Sequence, residues 1–130
     1  SPCFWLDLPA HKGAAEFISW LSQNQQKHPV YFITNRMGIS PKWQTERWLK
    51  RYGYLGSPSV IVTADKGQAC KVLKADVYID DKTENCQDVL TVSSAKCYMR
   101  ARPYNKSING LIGRGNLEGF RQLIQTGVCR

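Results

Sequence analysis

The sequence lacks any apolar stretch long enough to cross a membrane, and its N-terminus lacks the apolar core of a signal peptide. These absences predict a protein of the cytosol, or one from which a targeting segment has already been removed. Internal repeats and low-complexity linkers are also missing, and glycines and prolines fall between periodic segments. The chain has 130 residues, enough to bury one hydrophobic core, so we expect a single domain over residues 1–130.

Cysteine and histidine do not occur at the spacings that metal binding or thiol catalysis requires. The five cysteines include no CxxC pair, and their odd number argues against a disulfide framework and against a zinc site. The two histidines, His11 and His28, lie outside any recognisable motif and offer a cysteine nucleophile no evident partner. We therefore expect reduced thiols in or near a core.

Acidic residues are few relative to basic ones, since 10 Asp and Glu face 18 Lys and Arg and leave a net charge of +8. Such an excess attracts anions: nucleotides, phosphorylated substrates or nucleic acids. Nowhere do five or six basic residues follow one another, so a basic arm for nucleic acid is absent. A solvated surface remains the alternative explanation for most of this charge.

Short apolar segments rich in strand formers alternate with segments of helical periodicity. Strands are predicted at residues 30–33, 60–62, 77–79 and 96–99, and helices at 13–27, 41–52, 66–74, 84–90 and 116–126. Ser40-Pro41 is a good start for the second helix, Gly53 is placed to end it, and Asp65 is placed to cap the third. The alternation indicates an α/β fold whose mostly parallel sheet is covered by helices on both faces.

In such sheets ligands bind at the carboxyl ends of the strands. Thr34, Asn35 and Arg36 follow the first predicted strand, where a hydroxyl and the backbone amides of a turn can bind a phosphate oxygen. The alternative is that Thr34 and Asn35 only cap a turn.

A pair of carboxylates, Asp80 and Asp81, follows the strand predicted at 77–79. Adjacent carboxylates after an apolar segment repel each other unless a cation neutralises them, and oxygen ligands of this kind suit magnesium. The alternative is an Asp-Asp turn in which one carboxylate caps the following helix.

Lys66 stands at the predicted start of a helix, where the helix dipole disfavours a positive charge. This misfit suggests that the ammonium group points towards a bound anion. A surface lysine is the alternative.

Thr34, Lys66 and the aspartate pair, each after a strand and in this chain order, resemble the second, third and fourth motifs of the haloacid dehalogenase (HAD) superfamily. Further segments resemble its 5'-(deoxy)ribonucleotidase branch and the phage and bacterial relatives of that branch, and the similarity spans about residues 4–125. These segments are Phe4-Trp5, Leu8-Pro9, Gly13-Ala14, Trp48-Leu49, Gly53, Ile79–Asn85 and Arg102–Asn105.

The resemblance implies a Rossmann-like three-layer core and a magnesium-dependent phosphomonoester hydrolase. In such an enzyme an aspartate attacks phosphorus and water hydrolyses the resulting aspartyl-phosphate. Asp81, with Asp80 beside it, would hold Mg²⁺. Thr34, Asn35 and Arg36 would bind the substrate phosphate, and Lys66 would neutralise charge on the transferred group, with Lys71 as the substitute if the loop is longer.

The sequence departs from this family at the first motif, because no Asp-x-Asp occurs anywhere in the chain. The nearest candidate is Asp7, but Pro9 stands where the second acid is required. The family's first strand lies in the middle of the sheet, between the strands ending at Thr34 and Asp80. We therefore expect this central strand, its nucleophile and the cap domain to be missing, and an N-terminal segment or a second chain to complete the sheet.

Three functions remain after this comparison. The first is a phosphatase acting on nucleoside monophosphates, inactive as this chain alone. The second is a phosphatase acting on other small phosphates or on nucleic-acid ends. The third is a non-catalytic module with a degenerate HAD fold that binds nucleotides or nucleic acid, which the missing nucleophile and the charge of +8 favour.

Overall fold

The computed structural model describes residues 3–4, 13–35 and 41–128. Six strands in these ranges form one sheet in the order β3-β2-β1-β4-β5-β6, and every pair of neighbours is parallel. The strands are β1 (Cys3–Phe4), β2 (Tyr31–Thr34), β3 (Ser59–Val62), β4 (Val77–Asp80), β5 (Lys96–Arg100) and β6 (Gly113–Gly115).

Helices connect the strands along the chain. They are α1 (Ala14–Gln23), α2 (Pro41–Arg51), α3 (Lys66–Leu73), α4 (Thr83–Val92) and α5 (Leu117–Leu123), and a π-helical turn (Ile124–Val128) continues the last one. The predicted α/β class and the predicted elements are confirmed, with boundaries that differ by up to four residues. None of the helices in the described part of the chain is long and apolar enough to span a membrane.

Two hydrophobic cores lie on opposite faces of the sheet. Side chains of α1, α2 and α5 pack on one face, and those of α3 and α4 pack on the other. In β4, Val77 and Ile79 belong to the first core and Tyr78 belongs to the second, as the alternation of side chains along a strand requires. This double burial explains why β4 is an uninterrupted apolar segment up to its final aspartate.

The expectation that the central strand is missing was wrong. β1 lies between β2 and β4, where Phe4 pairs with Phe32 on one side and with Ile79 on the other. Sequence patterns did not reveal β1, because two residues are too few to show a period. They also missed β6, whose Gly-Arg-Gly sequence contains no strand former and which becomes a strand by pairing with β5.

The expectation of reduced core thiols is confirmed for the cysteines whose side chains are described. Cys70, Cys86 and Cys97 form no disulfide and are buried in the core under α3 and α4. Hydrogen bonding with Cys86, together with burial, raises the pKa of the Cys97 thiol. The Cys97 thiol therefore stays protonated, and all three buried cysteines pack as small apolar side chains.

Helix boundaries follow the predicted signals in part. Pro41 is the first residue of α2, and Gly53 has φ of +97°, a conformation that ends the helix and suits glycine. Asp65 holds the N-cap position of α3, but its side chain makes no capping hydrogen bond. Ser40, the predicted N-cap of α2, lies outside the described residues.

Lys74 ends α3 in the left-handed conformation, with φ of +53°. A side chain at this position strains the backbone, so Lys74→Gly is expected to stabilise the protein by about 1 kcal/mol. Urea unfolding measures the change in the free energy of unfolding.

Lys71→Gly is the matched control, because it removes the same side chain from within α3. There glycine is expected to cost about 1 kcal/mol. The same sign of change in both variants would contradict the interpretation of Lys74.

Candidate functional site

Polar residues end the two strands that flank β1. Thr34 is the last residue of β2 and Asp80 is the last residue of β4, and both are buried. Phe4 pairs with both Phe32 and Ile79. Thr34 lies two residues after Phe32, and Asp81 lies two residues after Ile79. They therefore lie level with each other at the carboxyl edge, about 10 Å apart across the position of β1.

Lys66 is a buried lysine, with only 2% of its surface exposed. It is the first residue of α3, and its positive charge opposes the rise that burial causes in the pKa of Asp80, which places the two groups within electrostatic reach of each other. Lys71 is exposed on the last turn of the same helix. Of the two lysines weighed for the phosphate-binding role, Lys66 is therefore the one that lies with the strand-end carboxylates.

An aspartate of α4 holds the start of α3 in place. The Asp88 carboxylate accepts a hydrogen bond of 2.8 Å from the Gly67 amide, a free N–H of the first helical turn. A Cβ atom on Gly67 would lie 2.7 Å from both the carbonyl oxygen and Oδ2 of Asp88. Glycine is thus required for the close approach of α3 and α4, and this approach fixes where Lys66 enters the site.

The Asp80 carboxylate is surrounded by hydrogen-bond donors. Its Oδ1 accepts from the amides of Asp81 (2.7 Å) and Lys82 (3.0 Å), and its Oδ2 accepts from the Tyr78 hydroxyl and from Asn85 Nδ2 (2.8 Å). Burial raises the pKa of Asp80 to about 6, and the Lys66 charge and these hydrogen bonds oppose a larger rise. The carboxylate thus fixes the turn that carries Asp81.

Asp81 has one carboxylate oxygen with a partner and one without. Its Oδ2 accepts a hydrogen bond from the Tyr104 hydroxyl, whereas its Oδ1 is buried and has no hydrogen-bond partner among the described residues. Asp81 is only 4% exposed, and an unpartnered buried carboxylate oxygen is costly. A cation bound at Oδ1 would remove this cost.

The main chain at Asp81 is held by the segment after β5. Asn105 Nδ2 donates to the carbonyl oxygens of Asp81 (2.7 Å) and Arg100 (2.9 Å). Asn105 Oδ1 in turn accepts from the Arg114 guanidinium at 2.9 and 3.2 Å and from the Arg102 amide at 3.1 Å. This network joins the ends of β4 and β5 to β6 and orients Asp81.

The sequence did not reveal several of these supporting residues. Asp88 and Arg114 act through contacts that are distant in the chain, whereas Tyr78 and Asn85 act on Asp80 from two and five residues away, and no spacing in the sequence signals any of these contacts. Asn105 belongs to a segment noted only for its resemblance to a nucleotidase branch. The burial of Asn105, which makes it a support of the site, is visible only in the folded structure.

The remaining predicted site residues are less enclosed or undescribed. Asn35 is exposed directly after β2, whereas Arg36 and Asp7 lie outside the described residues. Within ranges 3–4, 13–35 and 41–128, no three His, Cys, Asp or Glu residues lie together as metal ligands. Asp80 and Asp81 are thus a pair of carboxylates in the described structure.

Comparison with known proteins gives no match to a family model, to a curated protein or to a solved structure.

The raised pKa of Asp80 predicts a dependence of stability on pH. The folded protein keeps this proton up to about pH 6, whereas the unfolded chain loses it near 3.8. Between these values the folded state binds more protons, so its stability falls as pH rises, by about 3 kcal/mol at most. Asp80→Asn is expected to remove this component.

Urea unfolding at pH 4 and pH 7 in buffer with a chelator measures the effect. The exposed Asp65→Asn is the control for the loss of one carboxylate. An identical pH dependence in wild type and Asp80→Asn would contradict the assignment.

Proposed function

We propose that this chain is the core of a HAD-type, magnesium-dependent phosphomonoester hydrolase that acts on nucleoside monophosphates, and that residues 1–130 alone bind the substrate without hydrolysing it. The observation that carries the proposal is the buried, unpartnered Oδ1 of Asp81 at the carboxyl edge of a parallel sheet. Within the described residues it is the carboxylate oxygen that lacks a protein partner while buried, and Mg²⁺ prefers such an oxygen.

The strand order also supports the proposal. The resemblance implies a first strand between those that end at Thr34 and Asp80, and β1 occupies this position in the order β3-β2-β1-β4-β5. Thr34, Lys66 and Asp81 then stand at the carboxyl edge, where parallel sheets bind their ligands.

The two aspartates take different roles in this proposal. Both oxygens of Asp80 accept hydrogen bonds, so Asp80 fixes the turn and adds its charge, while Asp81 Oδ1 remains for the metal. Bound there, Mg²⁺ would reduce the negative charge that opposes attack on phosphorus. Thr34 and the amide of Asn35 hold a phosphate oxygen, and the Lys66 ammonium stabilises the charge on the transferred group.

The nucleophile was expected outside this chain for two reasons, and one of them no longer holds. The central strand is present as β1, so the sheet does not require another segment there. The absence of Asp-x-Asp remains, with Pro9 at the position of the second acid. Asp7 is the acid that follows β1 most closely in the sequence, which makes it the residue to test.

A non-catalytic module that binds nucleotides is the second candidate. The missing Asp-x-Asp favours it, because Thr34, Lys66 and Asp81 can bind an anion and a metal without supplying a nucleophile. The hydrolase and the binding module are both expected to bind Mg²⁺ and nucleotide, and only the hydrolase is expected to release phosphate.

Asp81→Asn is expected to weaken Mg²⁺ binding at least tenfold, because it removes the charge of the ligand carboxylate. Isothermal titration calorimetry measures the affinity. The control is Asp65→Asn, which removes an exposed carboxylate beside Lys66 and should leave the affinity unchanged. Equal affinities in wild type and Asp81→Asn would refute the metal site.

Phosphate release from deoxynucleoside monophosphates in the presence of Mg²⁺ tests the reaction. Residues 1–130 are expected to bind substrate without turnover, and an N-terminally extended chain is expected to be active. In the active chain Lys66→Ala should lower kcat about 10²–10³-fold, and Lys71→Ala should leave it unchanged.

Turnover by residues 1–130 that Asp7→Asn abolishes would place the nucleophile at Asp7. If neither chain releases phosphate while both bind Mg²⁺ and nucleotide, the binding module is correct.

A further inference from the structure

The exposed face of α2 combines basic and aromatic side chains. Four of its 11 residues are basic and one is acidic. Glu46 pairs with Lys42 at 3.5 Å, whereas Arg47, Lys50 and Arg51 have exposed side chains further along the helix. One helix thus carries a net charge of +3 of the +8 in the whole chain.

Trp43 is unusually exposed for its size. The residue is 56% exposed, and the guanidinium of Arg47 lies 4.7 Å from the centre of its ring. Arg47 therefore covers one face of the ring by a cation–π contact, and enough surface remains for a second planar group. An indole held by an arginine in this way is a preformed stacking platform.

The packing of α2 fixes the direction in which this platform points. Leu49 is completely buried in the core, and α2 packs on β2 and β3. Trp43, Arg47 and Lys50 repeat at i, i+4 and i+7, so they share the face that points away from that core. Arg51 extends the same face by one more position. The charges and the ring therefore form one continuous surface.

We propose that this surface, formed by Trp43, Arg47, Lys50 and Arg51, binds single-stranded nucleic acid. Arg47, Lys50 and Arg51 contact successive phosphates, and a base stacks on the open part of the Trp43 ring. Basic side chains that track a backbone, with an aromatic ring for a base, are the combination by which proteins bind single strands. In a duplex the bases are already stacked on each other, so no base would be available to stack on the Trp43 ring.

A membrane fits this surface less well. A helix that lies on a bilayer inserts an apolar face below its basic residues. In α2 the apolar face is directed into the protein core through Leu49, and Trp43 is the one large apolar side chain on the exposed face. Charge complementarity and the stacking platform therefore favour a polynucleotide.

The surface lies near the candidate phosphatase site without depending on it. α2 follows β2 in a parallel sheet, so its first turn, which carries Trp43, lies at the carboxyl edge together with Thr34 and Asp81. Binding to α2 requires neither metal nor turnover. Loss of metal binding or of turnover would therefore leave nucleic-acid binding by α2 intact, and loss of nucleic-acid binding would leave the metal site intact.

Fluorescence anisotropy of a labelled oligothymidylate of about 10 nucleotides tests the binding of this chain in metal-free buffer. Trp43→Ala is expected to weaken binding about tenfold and to leave its salt dependence unchanged, because stacking is lost and no charge is removed. Trp43→Phe, which keeps an aromatic ring, is expected to recover most of the affinity. Far-ultraviolet circular dichroism verifies that each variant is folded.

Lys50→Ala and Arg51→Ala are each expected to weaken binding and to reduce the slope of log affinity against log salt by about 0.7. Lys74→Gly and Lys96→Ala are the matched controls. They remove the same charge from exposed residues at the opposite, amino edge of the sheet, and they should change neither quantity measurably.

Equal losses in the α2 variants and the amino-edge controls would overturn the inference, because binding would then follow net charge alone. Tighter binding to a duplex, to heparin or to anionic vesicles than to the oligothymidylate would overturn it as well. An unchanged affinity of the Trp43→Ala variant for the oligothymidylate would refute base stacking on Trp43 and, with it, the proposed binding surface.

Discussion

The carboxylate of Asp80, buried at the end of a strand that is itself buried on both faces, is the constraint on which the rest of the site depends. An isolated charge in such a place is costly, and its pKa of about 6 shows the effect of burial. The surrounding structure is arranged to lower that cost: two amides, the Tyr78 hydroxyl and Asn85 donate to it, and Lys66 adds a positive charge. The turn after β4 and the start of α4 are positioned by these hydrogen bonds.

The neighbouring Asp81 differs from Asp80 in the hydrogen bonding of its carboxylate. Its main chain is held by Asn105, which Arg114 holds in turn, yet one of its carboxylate oxygens is left buried without a partner. The fold thus provides both carboxylate oxygens of Asp80 with donors and leaves Oδ1 of Asp81 without one. This contrast, rather than the presence of two aspartates, makes a cation at Asp81 the favoured interpretation.

The core of the fold was predictable where a local pattern was strong. Val77–Asp80 is a short apolar segment that ends in acids, and it is a strand buried on both faces. β1 and β6 were not predictable, because a two-residue strand and a Gly-Arg-Gly strand acquire their conformation from neighbours that are far away in the chain. The mistaken expectation of a missing central strand came from the absent Asp-x-Asp motif. The strand is present without that motif, because strand pairing is set by tertiary contacts and not by a local signature.

The sequence by itself determined the α/β class, the boundaries of most helices and strands, and the position of Thr34, Lys66, Asp80 and Asp81 beside strand or helix ends. These features depend on periodicity and on turn residues, which act within a few positions of the chain. Only the tertiary structure decided that Lys66 rather than Lys71 lies buried with the carboxylates and that the two aspartates differ in their partners. Burial and hydrogen-bond partners arise when α3, α4 and the segment after β5 pack around β4, and no spacing in the sequence encodes that packing directly.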